Sequence, residues 1–263
     1  MTYKKPWDPT PGYTQIVTPG DARLKQIGFG VACLSAGQTY EADASEQETA
    51  AIVLSGTVSV RCGEQLFEGI GGRTDVFSGK PATVYCPAGG AIAITAETDA
   101  EVALCQAPST RSGSPCCIAP DQVKEVTIGR DNFTRTAYLM VDDDVAAHYL
   151  FIGEAIVPPG NWASFPPHRH DKDDLPDEVD MEEVYFFRFR PKHGFGIQKI
   201  YTDDRAIDET LTLRENDTVL IPEGYHPVVA APGYSMWYLW IMAGENRKFL
   251  SRPDPDHAWV TAG

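Results

Sequence analysis

The sequence predicts an all-β protein with two β-barrels or β-sandwiches in one chain. Among its 263 residues, 23 glycines and 20 prolines separate apolar runs that are short. No long amphipathic helix is visible, and many short strands at near-regular spacing are typical of β-sandwiches and β-barrels. With 43% hydrophobic residues, a chain of this length can bury one large core or two smaller ones.

The strand-like runs form two similar series. The first contains QIGFGVACL, TAAIVLSGTVSVRC, ATVYCPAGGAIAITA and AEVALCQA, and the second contains HYLFIGEAIV, EEVYFFRFR, GFGIQKIYT, DTVLIPEG and YSMWYLWIMAG. LSGTVSV and VYCPAGG in the first series have the same order and character as VYFFRF and VLIPEGYH in the second. This repetition predicts a duplicated domain. We expect an amino-terminal domain over residues 1–130 that has lost its polar site, and a catalytic domain over 131–263.

Charge and composition restrict the classes of binding partner and the cellular compartment. The net charge of -15 argues against nucleic acid and anionic membranes, because both need a basic face. No run resembles a signal peptide or spans a bilayer, so we expect a cytoplasmic protein. The six cysteines include no CxxC pair and several sit inside apolar runs, which favours buried free thiols over disulfides.

The histidines place the chemistry in the second half. All six follow residue 147. His168 and His170 would share one face of an extended strand. By the same alternation, Glu183 would lie with Tyr185, Phe187 and Phe189 on the face that points into the barrel.

His226 follows a Pro-x-Gly turn, in which Gly224 supplies the tight backbone. A carboxylate that points into an aromatic interior is costly unless it is paired or binds a metal. Three imidazoles and one carboxylate suit a divalent metal: zinc, manganese, iron or nickel.

The remaining acids between His170 and Glu183 have a simpler interpretation. The stretch DKDDLPDEVDM is charged, contains proline and shows no apolar period. It predicts a solvated loop. The members of that predicted loop, with the glutamate that follows it, are Asp171, Asp173, Asp174, Asp177, Glu178, Asp180 and Glu182.

His-x-His, a later Glu and Pro-x-Gly-x-His, in that order and with Gly160 ahead of them, resemble the two metal motifs of the cupin superfamily. GNWASFPPHRHD, LPDEVDMEEVYFFRF and DTVLIPEGYHPVVAAPGY resemble more narrowly the 5-deoxy-glucuronate isomerase family of myo-inositol catabolism. The uronate ketol-isomerases of pectin breakdown are similar at a greater distance. The resemblance implies two cupin barrels (a bicupin), with metal ligands His168, His170, Glu183 and His226 in the second.

The resemblance also implies a reaction. It is the aldose–ketose isomerisation of 5-deoxy-D-glucuronate to 5-dehydro-2-deoxy-D-gluconate, with zinc or manganese as the metal. Its proton carrier is expected among Glu182, Asp180, Tyr201 and Tyr225.

A cation is expected to meet the carboxylate of this small anionic sugar acid, with Arg169, Lys199, Arg188 and Arg247 as candidates. Arg169 should point away from its two neighbouring ligands and support the site. We also expect a homo-oligomer. An Fe(II) dioxygenase, a uronate ketol-isomerase and a sugar-binding or storage cupin without activity stay open as alternatives.

Overall fold

The computed structural model describes residues 2–261 and confirms the all-β prediction: 25 strands and three short 3-10 helices, at Asp21–Arg23, Asp131–Phe133 and Ala258–Thr261. No α-helix occurs in that range, and no helix there is long and apolar enough to cross a membrane. The strands of the first half are β1 (Lys4–Pro6), β2 (Gly12–Val17), β3 (Gly28–Leu34), β4 (Thr39–Ala44), β5 (Gln47–Ser55), β6 (Thr57–Cys62), β7 (Gln65–Gly71), β8 (Ala82–Cys86), β9 (Gly90–Ala96), β10 (Ala100–Pro108), β11 (Cys116–Ile118) and β12 (Lys124–Ile128). Those of the second half are β13 (Arg135–Val141), β14 (Leu150–Val157), β15 (Trp162–Ala163), β16 (His168–Arg169), β17 (Asp171–Asp174), β18 (Glu178–Asp180), β19 (Glu182–Arg190), β20 (Gly196–Tyr201), β21 (Asp208–Leu213), β22 (Asp217–Ile221), β23 (Val228–Ala230), β24 (Ser235–Ala243) and β25 (Arg252–Pro253).

The strands form two barrels with the same topology. In the first barrel a sheet ordered β11-β8-β5-β10-β3-β2 accompanies a sheet ordered β4-β9-β6-β7. In the second barrel a sheet ordered β1-β22-β19-β24-β14-β13-β12 accompanies one ordered β15-β23-β20-β21. The run β8-β5-β10-β3-β2 thus matches β22-β19-β24-β14-β13 in order and in chain sequence. This match supports the predicted duplication, with β16, β17 and β18 as an insertion in the second copy.

The central strands of the two larger sheets are buried on both faces. On β5, Ala51 and Val53 belong to the core inside the first barrel, whereas Ile52 and Leu54 belong to a core shared between the barrels. β19 alternates in the same way between the interior of the second barrel and the shared core. A strand that is buried on both faces needs apolar side chains on both, which explains why these strands are continuous apolar runs in the sequence.

Two strands ahead of residue 130 belong to the second barrel. β12 pairs with β13, and β1 pairs with β22 at the opposite edge of the same sheet. Lys4 is opposite Val219 in that pairing. The second barrel is therefore built from two separate stretches of the chain, β1 and the chain from β12 onward, an arrangement that local sequence patterns do not reveal.

The cysteines differ in part from the expectation of free thiols. Cys62 and Cys86 form a disulfide with Cα atoms 5.8 Å apart. They lie at the ends of β6 and β8, which both contribute to the core of the first barrel. Their separation of 24 residues gave no motif that could be recognised. The other four, Cys33, Cys105, Cys116 and Cys117, are free.

Candidate metal centre

His168 and His170 lie at β16 and just after it, at the start of the inserted segment. The carboxy-terminal strand β25 pairs with β16, His168 opposite Pro253. Both imidazoles line one cavity, as strand alternation predicts. The Nδ1–H of His170 donates to the carbonyl oxygen of Met181 at 2.6 Å, and Nδ1 of His168 lies 3.3 Å from the carbonyl oxygen of Pro166.

Glu183 enters the same cavity from β19. Tyr185 and Phe187, two and four residues further along, lie in the core inside the second barrel, whereas Val184 lies in the core between the barrels. The predicted inward face of β19 is therefore the observed one. Glu183 is 3% exposed, so its carboxylate is almost entirely withdrawn from water.

His226 comes from the turn after β22, and Gly224 makes that turn possible. Gly224 has a φ of +92°, and a Cβ there would lie 2.5 Å from the carbonyl oxygen of Tyr201. The Nδ1–H of His226 donates to the carbonyl oxygen of Gly224 at 2.8 Å. His226 is fully buried.

The three imidazoles converge on one another, and two of them reach the carboxylate of Glu183. A ligand atom from each of His168, His170 and His226 lies within 4.8 Å of the other two. The Nε2 atoms of His170 and His226 lie 3.2 Å and 3.1 Å from Oε2 of Glu183. Because their Nδ1 atoms donate to backbone carbonyls, these Nε2 atoms carry lone pairs that face the carboxylate.

This donor set fits a metal ion. The Nε2 of His226 is buried and has no hydrogen-bond partner in residues 2–261, although it lies 3.1 Å from the carboxylate oxygen. An imidazole lone pair and a carboxylate oxygen at that distance repel each other unless a proton or a cation lies between them. Three imidazole nitrogens and one carboxylate suit a divalent transition metal and leave coordination positions open.

Burial and mutual charge perturb these groups. Burial, together with the neighbouring His226 and His170, lowers the pKa of His168 to about 3. Burial by itself would raise the pKa of Glu183, but the imidazoles of His170 and His226 next to the carboxylate outweigh burial and lower this pKa to about 2. The neutral imidazole and the ionised carboxylate are the forms that bind a metal.

The cavity around the centre has a volume of about 390 Å³. Phe151, Tyr238, Trp240 and Phe249 form an aromatic wall, and Phe151 stacks against Trp240 with ring centroids 5.8 Å apart. A cavity of this volume admits a molecule the size of a monosaccharide.

Arg135, which the sequence interpretation missed, brings a cation into this cavity. It is 9% exposed and donates from Nη1 to the carbonyl oxygen of Phe133 at 3.2 Å. It makes no ion pair with a carboxylate in the described range. Lys124, the other cation of the lining, is paired with Asp142 and Asp144 at 2.6 Å each. The strand-like run RTAYLMV contained a signal, since Arg135 shares its phase with Ala137 and Leu139, which also line the cavity.

Two tyrosines stand beside Glu183. The hydroxyl of Tyr185 lies 2.7 Å from Oγ of Ser164. Burial and the charge of Glu183 raise the pKa of Tyr185 well above its usual value. Burial also raises the pKa of Tyr238 to about 12, although the charge of Arg135 opposes this shift. Both phenols therefore keep their protons near neutral pH and act as hydrogen-bond donors.

The structure places Glu182 elsewhere than expected. Strand alternation turns Glu182 away from Glu183, toward the first barrel, where its carboxylate accepts hydrogen bonds from the backbone N–H groups of Lys25, Gln26 and Ile27. It does not line the cavity. Its acceptor positions are filled by structural hydrogen bonds, and the geometry does not support a role as proton carrier.

Tyr201, Tyr225 and Arg169 also lie outside the cavity lining. The hydroxyl of Tyr201 donates to Asp254 at 2.6 Å, and that of Tyr225 donates to Asp203 at 2.9 Å. The Nη1 of Arg169 donates to Asp203 at 2.9 Å. These three side chains form a polar cluster on the opposite face of β16, and only the expectation that Arg169 points away from the ligands agrees with the geometry.

The other proposed proton and carboxylate partners are similarly engaged or distant. Asp180, Lys199, Arg188 and Arg247 do not line the cavity. Arg188 pairs with Glu101 at 2.9 Å. Lys199 pairs with Asp208, and Arg247 donates to backbone carbonyls of Leu150 and Asp142.

The acidic insertion is a hairpin, and not all of it is solvated. β17 and β18 pair with Asp171 opposite Asp180. Asp173, Asp174 and Asp177 are exposed, as predicted, but Glu178 is fully buried between β17 and Arg169. Glu182 is buried as well. The hairpin supports the site through the backbone carbonyl of Met181, which accepts the hydrogen bond from His170.

Two cupin barrels define the protein as a bicupin, and within residues 2–261 the one cluster of three histidines lies in the second barrel, beside Glu183. The model of the KduI/IolB family matches residues 3–260, and the chain belongs to that family. A 5-deoxy-glucuronate isomerase of Geobacillus kaustophilus is 41% identical over 245 residues, which are 93% of this chain and 89% of that protein. One of Bacillus subtilis is 39% identical over 246 residues, 93% of this chain and 91% of that protein.

Solved structures agree with the fold. The crystal structure of an IolB-like protein from Salmonella typhimurium superposes with a TM-score of 0.95 at 32% identity, and 99% of each chain is covered. An oxalate decarboxylase of Lactobacillus farciminis superposes with a TM-score of 0.72 at 11% identity, covering 100% of this chain and 91% of the other. At that identity the second similarity shows the fold alone.

Proposed function

We propose that this chain is a metal-dependent 5-deoxy-glucuronate isomerase of myo-inositol catabolism, which converts 5-deoxy-D-glucuronate to 5-dehydro-2-deoxy-D-gluconate. The observation that carries the proposal is the convergence of three imidazoles, two of them in contact with Glu183, at a cavity that also contains Arg135, which has no ion-pair partner in residues 2–261. The activity of relatives at 39% to 41% identity supports the same substrate. The proposed isomerisation needs no oxidant, and no observation at the site favours a dioxygenase.

His168, His170, Glu183 and His226 would hold the cation. Their chemistry suits zinc or manganese, and iron or nickel would fit the same donors. When bound, the metal polarises the substrate carbonyl and stabilises the negative charge that develops on its oxygen.

The protein's own groups orient the sugar acid. Arg135 would bind the substrate carboxylate, because a guanidinium in a buried cavity forms strong charge-assisted hydrogen bonds with a carboxylate. Tyr185 and Tyr238, both protonated, would donate to substrate oxygens. The aromatic wall, which includes Phe151 and Trp240, would limit the access of water to the reacting carbons.

The cavity restricts the choice of proton acceptor. Apart from Glu183, the carboxylates in its described lining are Asp142 and Asp143. Asp142 accepts from Lys124 at 2.6 Å and from the backbone N–H of Asp144 at 3.0 Å. We therefore propose Asp143 as the proton acceptor, in place of Glu182. Turnover in deuterated water should put deuterium at the product carbon next to the carbonyl, and Asp143→Asn should reduce turnover. Full turnover without deuterium would indicate a hydride shift instead.

Metal removal tests the proposal as a whole. Protein treated with a chelator should lose the conversion of 5-deoxy-D-glucuronate and regain it when zinc or manganese is added under anaerobic conditions. His226→Ala should abolish both metal binding and turnover. A parallel assay with the uronate substrate of the pectin pathway should show a much lower kcat/KM. Full activity of metal-free protein, or a requirement for oxygen, would refute the proposal.

The setting of the enzyme belongs to the same proposal. We propose a cytoplasmic enzyme that assembles as a homo-oligomer. Gel filtration with light scattering measures the assembly, and a monomeric mass at micromolar concentration would refute that part.

A further inference from the structure

Glu182 joins the second barrel to the first through backbone hydrogen bonds. Its Oε2 accepts from the N–H of Lys25 at 2.5 Å, and its Oε1 accepts from the N–H groups of Gln26 and Ile27 at 2.7 Å each. These donors belong to the segment that leads into β3. A carboxylate that accepts three backbone N–H bonds is strongly held, because charge-assisted hydrogen bonds are stronger than neutral ones.

Glu48 makes the same contacts in the reverse direction. Its carboxylate accepts from the N–H groups of His148, Tyr149 and Leu150 at 2.7, 2.7 and 2.9 Å. Those donors lead into β14 of the second barrel. The hydroxyl of Tyr85 adds a fourth hydrogen bond at 2.6 Å. Each barrel therefore sends one glutamate to the incoming strand of the other.

The two glutamates occupy equivalent positions. Glu48 on β5 is opposite Ala107 of β10, and Glu182 on β19 is opposite Ala243 of β24. β5 and β10 are the counterparts of β19 and β24 in the repeated topology. We call each of these sets of hydrogen bonds, from the backbone of one barrel to a glutamate of the other, a joint. The joint occurs in both directions and is therefore a reciprocal feature of the duplicated fold.

The two copies differ in the residue that follows each glutamate. In the first barrel it is Thr49, buried, with an Oγ1 that has no hydrogen-bond partner in the described part of the chain. In the second barrel it is Glu183 of the metal centre. The joint is thus present in both copies, but only in the second is it one peptide bond away from a candidate ligand.

We propose that Glu182 is a positioning residue for the metal centre, through which the first barrel fixes the backbone of β19 at Glu183. The inference rests on the proposed metal centre and gives the first barrel a role in it. With the side chain of Glu182 tied to the segment 25–27, Glu183 cannot shift along β19 or rotate away from the histidines. Groups that orient a metal ligand contribute strongly to metal affinity.

Glu182→Gln tests the proposal, because it exchanges one acceptor oxygen for an NH2 group that faces a backbone N–H. Loss of a group that orients a metal ligand typically weakens metal binding by about 10- to 100-fold. We therefore expect the dissociation constant for Mn²⁺, measured by competition with a chelator, to rise at least about tenfold. The visible absorption spectrum of the Co²⁺-loaded protein should change in intensity and position.

Glu48→Gln is the matched control. It damages the equivalent joint and should lower the melting temperature of the metal-free protein by a similar amount. It lies beside Thr49 instead of a ligand, so the Mn²⁺ dissociation constant and the Co²⁺ spectrum should stay within about twofold of the parent. A general loss of stability would affect both variants alike.

Three results would overturn the inference. The first is equal Mn²⁺ affinity for the two variants, and the second is an unchanged affinity and Co²⁺ spectrum in Glu182→Gln. Glu182→Asp, which keeps the charge but shortens the side chain, replaces Glu182→Gln under the same criteria if the latter does not fold. The third result concerns the parent protein. A parent protein that binds no divalent metal would instead refute the metal centre itself, and this inference with it.

Discussion

At the scale of single residues, the site depends on which nitrogen of each histidine is committed to the backbone. His170 and His226 donate from Nδ1 to the carbonyls of Met181 and Gly224, so Nε2 is left for a ligand. These carbonyls belong to the backbone and stay in place whatever the neighbouring side chains are. The imidazoles are thus oriented before a metal arrives, which lowers the cost of binding it.

Arg135 gives a prediction at this scale. Arg135→Gln should raise KM for the sugar acid by about 10- to 100-fold, since a hydrogen bond to a charged group contributes about 1.5–3 kcal/mol. Bound metal should be unchanged. Arg61→Gln, at an exposed position on β6 of the first barrel, should leave KM unaltered. Steady-state kinetics measure both variants, and an unchanged KM in Arg135→Gln would remove Arg135 from substrate binding.

At the scale of elements, β14 shows how closely a strand fits the aromatic wall. A Cβ on Gly153 would lie 2.6 Å from Cε2 of Trp240 and 2.7 Å from the carbonyl oxygen of Tyr138. Only a glycine lets the indole of Trp240 lie flat against the strand. Here the absence of a side chain shapes the cavity.

Gly153→Ala should therefore destabilise the protein by about 1–3 kcal/mol, the usual cost of inserting atoms into a packed interior. Gly90→Ala is the control: its nearest neighbour, Cα of Gly63, would be 3.8 Å from the new Cβ, and we expect a change within about 0.5 kcal/mol. Urea denaturation measures both free energies of unfolding. Equal values for the two variants would contradict the proposed packing of Trp240.

At the scale of the whole molecule, a buried ion pair links the barrels. The Nη1 and Nη2 of Arg73, after β7, donate to the two carboxylate oxygens of Glu154 on β14 at 2.8 and 3.0 Å. The Nε of Arg73 donates to the carbonyl oxygen of Val53 at 2.9 Å. Glu154 is fully buried, so its charge depends on this partner.

Arg73→Met should lower the free energy of unfolding by about 3–5 kcal/mol, because it leaves a buried carboxylate without its counter-ion. Adding Glu154→Leu should restore most of the loss, since an apolar pair can replace a buried ion pair at little cost. Urea denaturation of the two single variants and the double variant measures this. A loss in the double variant equal to the sum of the single losses would mean that the pair does not act as a unit.

Much of the fold and half of the site follow from local patterns. Strand alternation predicts that His168 and His170 point to the same side and that Glu183 points inward. Both predictions succeed because each depends only on neighbouring residues of one strand. The Pro-x-Gly turn predicts the approach of His226. The predictions that were wrong concern residues whose partners are distant in the chain. Glu182 accepts a hydrogen bond from Lys25 and Tyr201 donates one to Asp254, and the local sequence around Glu182 or Tyr201 does not indicate either partner. Arg135 was missed because an arginine on a short strand is unremarkable until the cavity is seen.

The pairing of β1 with β22 has a consequence for biosynthesis. Residues 4–6 are made before the first barrel, yet the edge that they complete belongs to β22, which is made after the whole of the first barrel. The first barrel can close while β1 is still unpaired, and the second barrel is complete only when β22 pairs with β1. A bulky insertion next to β1 would therefore disturb the barrel that carries the candidate metal centre, although β1 is adjacent in sequence to the first barrel.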